Sequence, residues 1–130
     1  MAGELIGIGI DLVDIARADE MIERFGDRAL RRMLTVNEIE YVVSMSFPAM
    51  HFAARIAAKE AGFKALQALP DAAHVTWRDL EVLRATGGRP TMKLHGAAED
   101  LVRRHGPLSL HLSLTHTELS AGAVAVLLKG

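Results

Sequence analysis

Residues 52–69, FAARIAAKEAGFKALQAL, are the longest run in the chain that reads as helix from one end to the other. At 100° per residue, Phe52, Ile56, Phe63 and Leu66 fall in one narrow apolar stripe, the pattern of a helix laid against a core. Lys59 falls in the middle of that stripe, Glu60 lies on its shoulder, and Lys64 sits one turn further along the same shoulder. Burying an unpaired charge costs roughly several kcal/mol even after the protein relaxes. These side chains therefore require partners from elsewhere in the chain. Gly62 costs ~1 kcal/mol against alanine in a helix interior, and its presence points to close approach by another backbone or a ligand. Pro70-Asp71 ends the run.

Upstream, residues 5–13 alternate as a strand, with Ile6, Ile8, Ile10 and Leu12 on one side and Gly7, Gly9 and Asp11 on the other. Glycines on one face leave room for close approach to the backbone. The Gly-x-Gly here is no dinucleotide fingerprint, because the third glycine is missing and both lie inside the strand. Residues 15–25 read as an amphipathic helix with Ile15, Ala18, Ile22 and Phe25 inward, capped by Asp14 and stopped at Gly26. Arg17, Arg24, Arg28, Arg31 and Arg32 cluster within and just past it among acidic residues. That pattern fits a solvated face with weak ion pairs, or a docking face for an acidic partner. A further helix starts at Thr35 or Asn37, with Ile39, Val42 and Val43 apolar, and breaks at Ser46-Phe47-Pro48.

Downstream, residues 75–85 are predicted as a strand containing the single tryptophan, Trp77. Thr86-Gly87-Gly88-Arg89-Pro90 is a turn, and residues 91–94 return as the second arm of a hairpin. Residues 97–104 form a short helix stopped by Gly106-Pro107. Residues 108–116 alternate cleanly, leucines inward and Ser109, His111, Ser113 and Thr115 outward, with His116 in phase with the leucines. A turn at 117–120 leads to an apolar, small-residue strand over 121–128. The order predicts an α+β domain, an antiparallel sheet packed against a long central helix, with residues 1–130 as one domain.

Half the residues are hydrophobic but only 5% aromatic, so the core is aliphatic and alanine-rich. With 15 basic and 16 acidic side chains the net charge is −1, which does not suit nucleic-acid binding. The absence of cysteine removes disulfides, thiolate metal sites and a thiol nucleophile. No basic start followed by an apolar run marks a signal peptide, and no run approaches the ~20 apolar residues of a membrane span. A cytoplasmic protein without membrane attachment is expected.

Catalytic pairings narrow quickly. Ser113 and His116 lack a Gly-x-Ser-x-Gly elbow and face opposite ways on one strand. None of the six histidines forms an i, i+4 helical pair or a His-Glu-x-x-His zinc motif. Asp11 and Glu60 are carboxylates in the two segments expected to pack on each other. Two carboxylates, with waters and phosphate oxygens, are what magnesium usually accepts. Lys64 can hold a phosphate oxygen as a point charge or hand a proton to a leaving group. By spacing alone, Glu60–Lys64 fits better as an exposed helical pair worth ~0.3–0.5 kcal/mol, and Asp11 fits as well as a turn or capping acid.

The run FAARIAAKEAGFKAL resembles the central motif of the holo-acyl-carrier-protein synthases, the small 4′-phosphopantetheinyl transferases. Gly9-Ile10-Asp11-Leu12-Val13, Trp77-x-Asp79-Leu80-Glu81-Val82, Gly88-Arg89-Pro90 and Leu112-Ser113-Leu114-Thr115-His116-Thr117 resemble its other blocks, in its order, across nearly the whole chain. The resemblance implies transfer of phosphopantetheine from coenzyme A to a serine of an apo acyl carrier protein, in fatty acid biosynthesis, with release of adenosine 3′,5′-bisphosphate. It implies Asp11 and Glu60 as magnesium ligands and Asp11, Glu60 and Lys64 as the catalytic set. Glu60, acting through a water, is the candidate base. It implies Arg55, Lys64, Gly88, Arg89, Pro90, His116 and Thr117 as coenzyme A-binding residues, and Arg17, Met21 and Arg24 as carrier-docking residues. It implies a homotrimer with sites shared between subunits. Two departures stand out: Gly62 occupies a position that is often aromatic, and residues 44–51 contain no lysine or arginine. The coenzyme's 3′-phosphate is then left to Arg55, His116 or the partner subunit's Arg89. The alternative is a non-catalytic trimeric module that binds a carrier protein or nucleotide.

Overall fold

The computed structural model describes residues 3–84 and 87–130. The long central run becomes α4 (Pro48–Leu66). It begins earlier than residue 52 because Pro48 sits in its first turn, where a missing N–H is harmless. The other elements are β1 (Glu4–Asp14), α1 (Ile15–Phe25), α2 (Asp27–Met33), α3 (Val36–Ser44), β2 (Leu80–Arg84), β3 (Pro90–Leu94), α5 (Gly96–Arg104), β4 (Leu108–His116) and β5 (Ser120–Lys129). β1, β5 and β4 pair antiparallel in that order, and β2 and β3 form a separate hairpin. The fold is α+β, as expected from the element order.

The position of α4 explains its composition. It packs on β1 and β5 and is also touched by α1, α3, β4 and β2. Burial therefore extends well beyond the Phe52–Ile56–Leu66 stripe, to Ala49, Ala53, Ala57, Ala58, Ala61 and Ala65. Alanines let the helix approach, and the glycine face of β1 completes the fit. A Cβ at Gly7 would overlap the carbonyl oxygen of Ala65, and one at Gly9 that of Ala61. The close approach implied by the glycines is thus made by α4 itself. Ile8, Ile10 and Leu12, on the opposite face of β1, are exposed. They stand beside Val126, Val124 and Gly122 of β5 in register.

Several local expectations change. Residues 75–79 are not strand: a 3-10 turn covers Trp77–Asp79, because Thr76 and Asp79 cap each other's backbone and curl the chain before β2 starts. Asp14 occupies the N-cap of α1 but makes no side-chain capping bond. Phe25 and Val43 are exposed rather than inward. The protein atoms that approach Gly62 belong to side chains, not to another backbone: a Cβ there would meet Met92 Sδ at 2.9 Å and Leu80 Cδ1 at 3.5 Å. α2 was not foreseen as a helix; it buries Ala29, Leu30 and Met33 and turns its arginines to solvent. Thr35 starts α3 with a full capping box to Glu38. Ala85 and Thr86, the ends of the expected strand and turn, lie outside the described residues.

Candidate active site

Lys59 is answered from three directions. Its Nζ donates to Glu38 Oε1 at 2.7 Å and to the Trp77 carbonyl at 2.9 Å, and also to the Leu80 carbonyl. Glu38 Oε1 also accepts from the Thr35 amide and Oε2 from the Val82 amide. Burial pulls Lys59 below its ordinary value, and Glu38 opposes the shift. The three N–H groups of Lys59 and both oxygens of Glu38 are thus engaged within the protein. It ties α3, α4 and the start of β2 together.

Five positions on, Lys64 is held differently. Its Nζ donates to the Ile10 carbonyl at 2.9 Å and reaches Asp11 Oδ1 at 3.5 Å. An ammonium has three donors, so one remains directed away from these partners. Asp11 lies near the end of β1, brought beside α4 by the close Gly9–Ala61 approach. Asp11 and half-buried Glu60 line one cavity of about 220 Å³ with Leu12, Val13, Arg17, Met21 and Trp77. Two carboxylates from different elements therefore face a common space, with an ammonium beside one of them.

Among the described residues no group of three or more His, Asp or Glu side chains gathers to hold a metal. An all-oxygen pair of that kind suits a hard cation that completes its shell with water and phosphate oxygens. Arg17 and Met21 of α1 line the same cavity. Arg24, one turn further, is exposed and bonded to Glu20 at 3.3 Å. The remaining expected ligand-binding residues lie elsewhere. Gly88 and Arg89 are exposed ahead of β3, with Pro90 as its first residue. His116 ends β4, and with Thr117 it lines a groove shared with Phe47 and Met50. Thr117 Oγ1 accepts from the Leu119 and Ser120 amides and so shapes the β4–β5 turn.

Arg55 is only 2% exposed. Its guanidinium lies 4.3 Å from the centre of the Tyr41 ring, and its Nε is buried without a hydrogen-bond partner. Arg84 also faces Tyr41, and Arg84 Nη1 donates to the Gly88 carbonyl at 3.1 Å. Tyr41 and Arg84 were not singled out in the sequence, because no local spacing links residues of α3 and β2.

The family model for the 4′-phosphopantetheinyl transferase superfamily matches residues 7–123. The chain belongs to the holo-acyl-carrier-protein synthase family of these transferases. A holo-[acyl-carrier-protein] synthase of Koribacter versatilis is 46% identical over 123 residues, covering 95% of this chain and 98% of that one. Among solved structures, the acyl carrier protein synthase of Mycobacterium tuberculosis aligns with a TM-score of 0.75 at 34% identity, covering 95% of this chain and 97% of the other. The Helicobacter pylori holo-[acyl-carrier-protein] synthase, solved in complex with coenzyme A, aligns with a TM-score of 0.77 at 30% identity over 92% of this chain and 98% of that one. As a member of this family the chain is a transferase. Among the described residues no helix is long and apolar enough to cross a membrane.

Proposed function

We propose that this transferase moves 4′-phosphopantetheine from coenzyme A to a serine of an apo acyl carrier protein, supplying fatty acid biosynthesis in the cytoplasm. The observation that carries the reading is the convergence of Asp11 and Glu60 on one cavity, also lined by Arg17 and Met21, with the Lys64 ammonium 3.5 Å from Asp11. Asp11 and Glu60 are the side chains that would hold magnesium, which when bound supplies charge neutralisation to the diphosphate. The serine oxygen forms a bond to the phosphorus that carries the pantetheine arm. The bond from that phosphorus to the bridging oxygen breaks, and its electron pair leaves with adenosine 3′,5′-bisphosphate. Lys64, fixed by the Ile10 carbonyl, offers its free N–H to the departing oxygens. Catalysis of this kind is mostly positioning and charge stabilisation. Glu60 is the candidate acceptor for the serine proton, through a water.

Arg17, Met21 and Arg24 form the docking face on which an acidic carrier would settle, presenting its serine at the cavity. The exposed Ile8, Ile10 and Leu12 row, continued by Val124 and Val126, is the face on which subunits would join into the trimer. A contiguous apolar strip of this kind is usually covered in a soluble protein. The Gly88-Arg89-Pro90 turn and His116–Thr117 are the nucleotide-side residues of this reading.

The test is a mass assay. Apo carrier protein incubated with the enzyme, coenzyme A and magnesium is expected to gain the mass of one phosphopantetheine, and to gain none when the metal is chelated. Binding of carrier and nucleotide with no mass gain would leave a non-catalytic module instead. Sedimentation is expected to give the mass of three chains.

A further inference from the structure

A chain of hydrogen bonds runs from the surface to the Asp11–Glu60 cavity, and the chemistry proposed above does not use it. At its outer end stands His95, the partly exposed N-cap residue of α5, whose Nε2 lies 2.8 Å from Glu81 Oε1 of β2. Glu81 is 4% exposed, and its second oxygen accepts from Thr35 Oγ1 at 2.6 Å. Burial would raise the Glu81 carboxyl, but the bonds from Thr35 and His95 hold it below its ordinary value. An ionised carboxylate only accepts, so His95 Nε2 and the Thr35 hydroxyl are the donors.

That choice fixes the direction of every bond further in. With its one proton given to Glu81, Thr35 Oγ1 accepts from the Glu38 amide at 3.3 Å, while the Thr35 amide donates to Glu38 Oε1 at 2.9 Å. The same Glu38 oxygen accepts from Lys59 Nζ, which also donates to the Trp77 and Leu80 carbonyls. His95 reaches the same place by a second route. Its amide donates to the Asp79 carbonyl at 2.8 Å, and Asp79 Oδ2 accepts from the Thr76 amide at 2.9 Å, closing the 3-10 turn that begins with Trp77. Both routes therefore end at Trp77, and the first also ends at Lys59, the chain neighbour of Glu60. Trp77 and Glu60 line the cavity of Asp11 and also a second one of about 210 Å³, with Phe63, Val75 and Leu80. A buried polar network satisfied at each member specifies one arrangement and loses much when cut.

We propose that Glu81 is a positioning residue of the transfer reaction: through Thr35, Glu38 and Lys59 it holds Glu60 and Trp77 in place opposite Asp11, with His95 as its outer support. The assignment rests on Glu60 serving that reaction. β1 seats α4 through Gly7 and Gly9. The network seats it through Lys59, so the two carboxylates of the cavity are located by separate devices on one helix. A reacting group displaced by about 1 Å can cost up to about 100-fold in rate, and such a displacement lowers kcat more than it changes KM.

The test combines steady-state carrier modification, urea denaturation and emission of the single tryptophan, Trp77, which reports on this wall alone. Glu81→Gln is expected to lower kcat about tenfold with both KM values within about twofold. Its Trp77 emission should move to the red and be quenched more readily by acrylamide. Thr35→Val, which removes the hydroxyl, should behave like Glu81→Gln, and Thr35→Ser, which keeps it, should stay within about twofold of the wild type. The control is Leu127→Val, a core truncation toward the end of β5 remote from the Asp11–Ala123 pair. It should lower the urea midpoint and leave kcat and emission unchanged. If Glu81→Gln does not fold, His95→Ala, which cuts only the outer bond, takes its place with an expected kcat loss of about threefold and the same direction of emission. A Glu81→Gln kcat within about twofold of the wild type, an unmoved emission, or an equal kcat loss in Leu127→Val overturns the proposal. Mass gain that Glu81→Gln leaves intact would keep the transferase reading and sink this one. If the wild type modifies no carrier, the transferase reading falls, and magnesium titration decides the placement of Glu60: weaker binding by Glu81→Gln with shifted emission keeps it, and unchanged binding ends it.

Discussion

Two lysines five positions apart on α4 meet acids in opposite settings. Lys59 and Glu38 are each about 1% exposed and 2.7 Å apart, and backbone groups of Thr35, Trp77, Leu80 and Val82 complete their hydrogen bonding. Lys64 and Asp11 are 47% and 21% exposed, 3.5 Å apart, and have lone pairs and an N–H to spare. The first pair is closed, and its consequence is a fixed backbone. The second is open, and its consequence is an unfinished charge distribution at a cavity. Charge on a helix thus divides into structural and chemical roles by saturation of its partners, not by residue type.

The sharpest way to break the closed pair is Lys59→Met, which keeps most of the volume and strands Glu38. Removing one partner of a buried pair costs about 3–5 kcal/mol, and urea denaturation should show a loss of that order. An unchanged midpoint would mean that the pair does not hold α3 and α4 together. The same truncation at Lys64 should behave in the opposite sense. Lys64→Met is expected to change stability by less than about 1 kcal/mol, as exposed pairs do. Carrier modification should fall about 100-fold or more, which is about 2.7 kcal/mol of transition-state stabilisation. Comparable losses of stability at both sites would erase the distinction between the pairs.

Glu81 offers a case between them. It is buried, accepts from Thr35 Oγ1 at 2.6 Å and lies 2.8 Å from His95 Nε2. Burial alone would raise its carboxyl, but the hydrogen bonds from Thr35 and His95 outweigh that and hold it below its ordinary value. A depressed folded value means stability that is fully present above the unfolded carboxylate value and lost as pH falls through the folded value. Glu81→Gln should therefore cost about 1–2 kcal/mol at neutral pH. The gap to the wild type should close in acid, below the ordinary carboxylate range. A gap constant with pH would show that shape rather than charge is at stake.

How much of this could be read beforehand depends on the range of the interaction. The alternation of residues 108–116 is a local pattern and was legible; the start of α3 was narrowed to Thr35 or Asn37, and the capping box to Glu38 selects Thr35. The Thr76–Asp79 cap is equally local, yet the apolar residues around it were read as strand, and the turn at Trp77 was missed. The demand that Lys59 find a partner was legible; that the partner is Glu38, in a different helix, was not, since nothing in local spacing ties the two. Asp11, Glu60 and Lys64 came from segments expected to pack together and from resemblance to a family. Tyr41, His51 and Arg84 could be found only in three dimensions, because α3, α4 and β2 bring them together across long sequence separations.

The smallest effect is expected at Gly62, where α4 meets Met92 and Leu80 of the β2–β3 hairpin. There the crowding is with a thioether, not with backbone: an added Cβ would meet Met92 Sδ at 2.9 Å and Met92 Cε at 3.4 Å. Methionine has three rotatable bonds and repacks readily. Gly62→Ala should recover up to about 1 kcal/mol of helix propensity and lose a similar amount to the displaced Met92. The net change should stay within about 0.5 kcal/mol, and the double variant with Met92→Leu should show whether the two terms are coupled. Gly9→Ala, where the obstacle is the Ala61 carbonyl on the same helix, cannot relax in that way and should destabilise by roughly 3 kcal/mol or more. If Gly62→Ala proved as damaging as Gly9→Ala, the β2–β3 hairpin would have to be as rigidly seated on α4 as β1 is, and Lys59, which already bonds the Leu80 carbonyl at the head of that hairpin, would be the residue enforcing it.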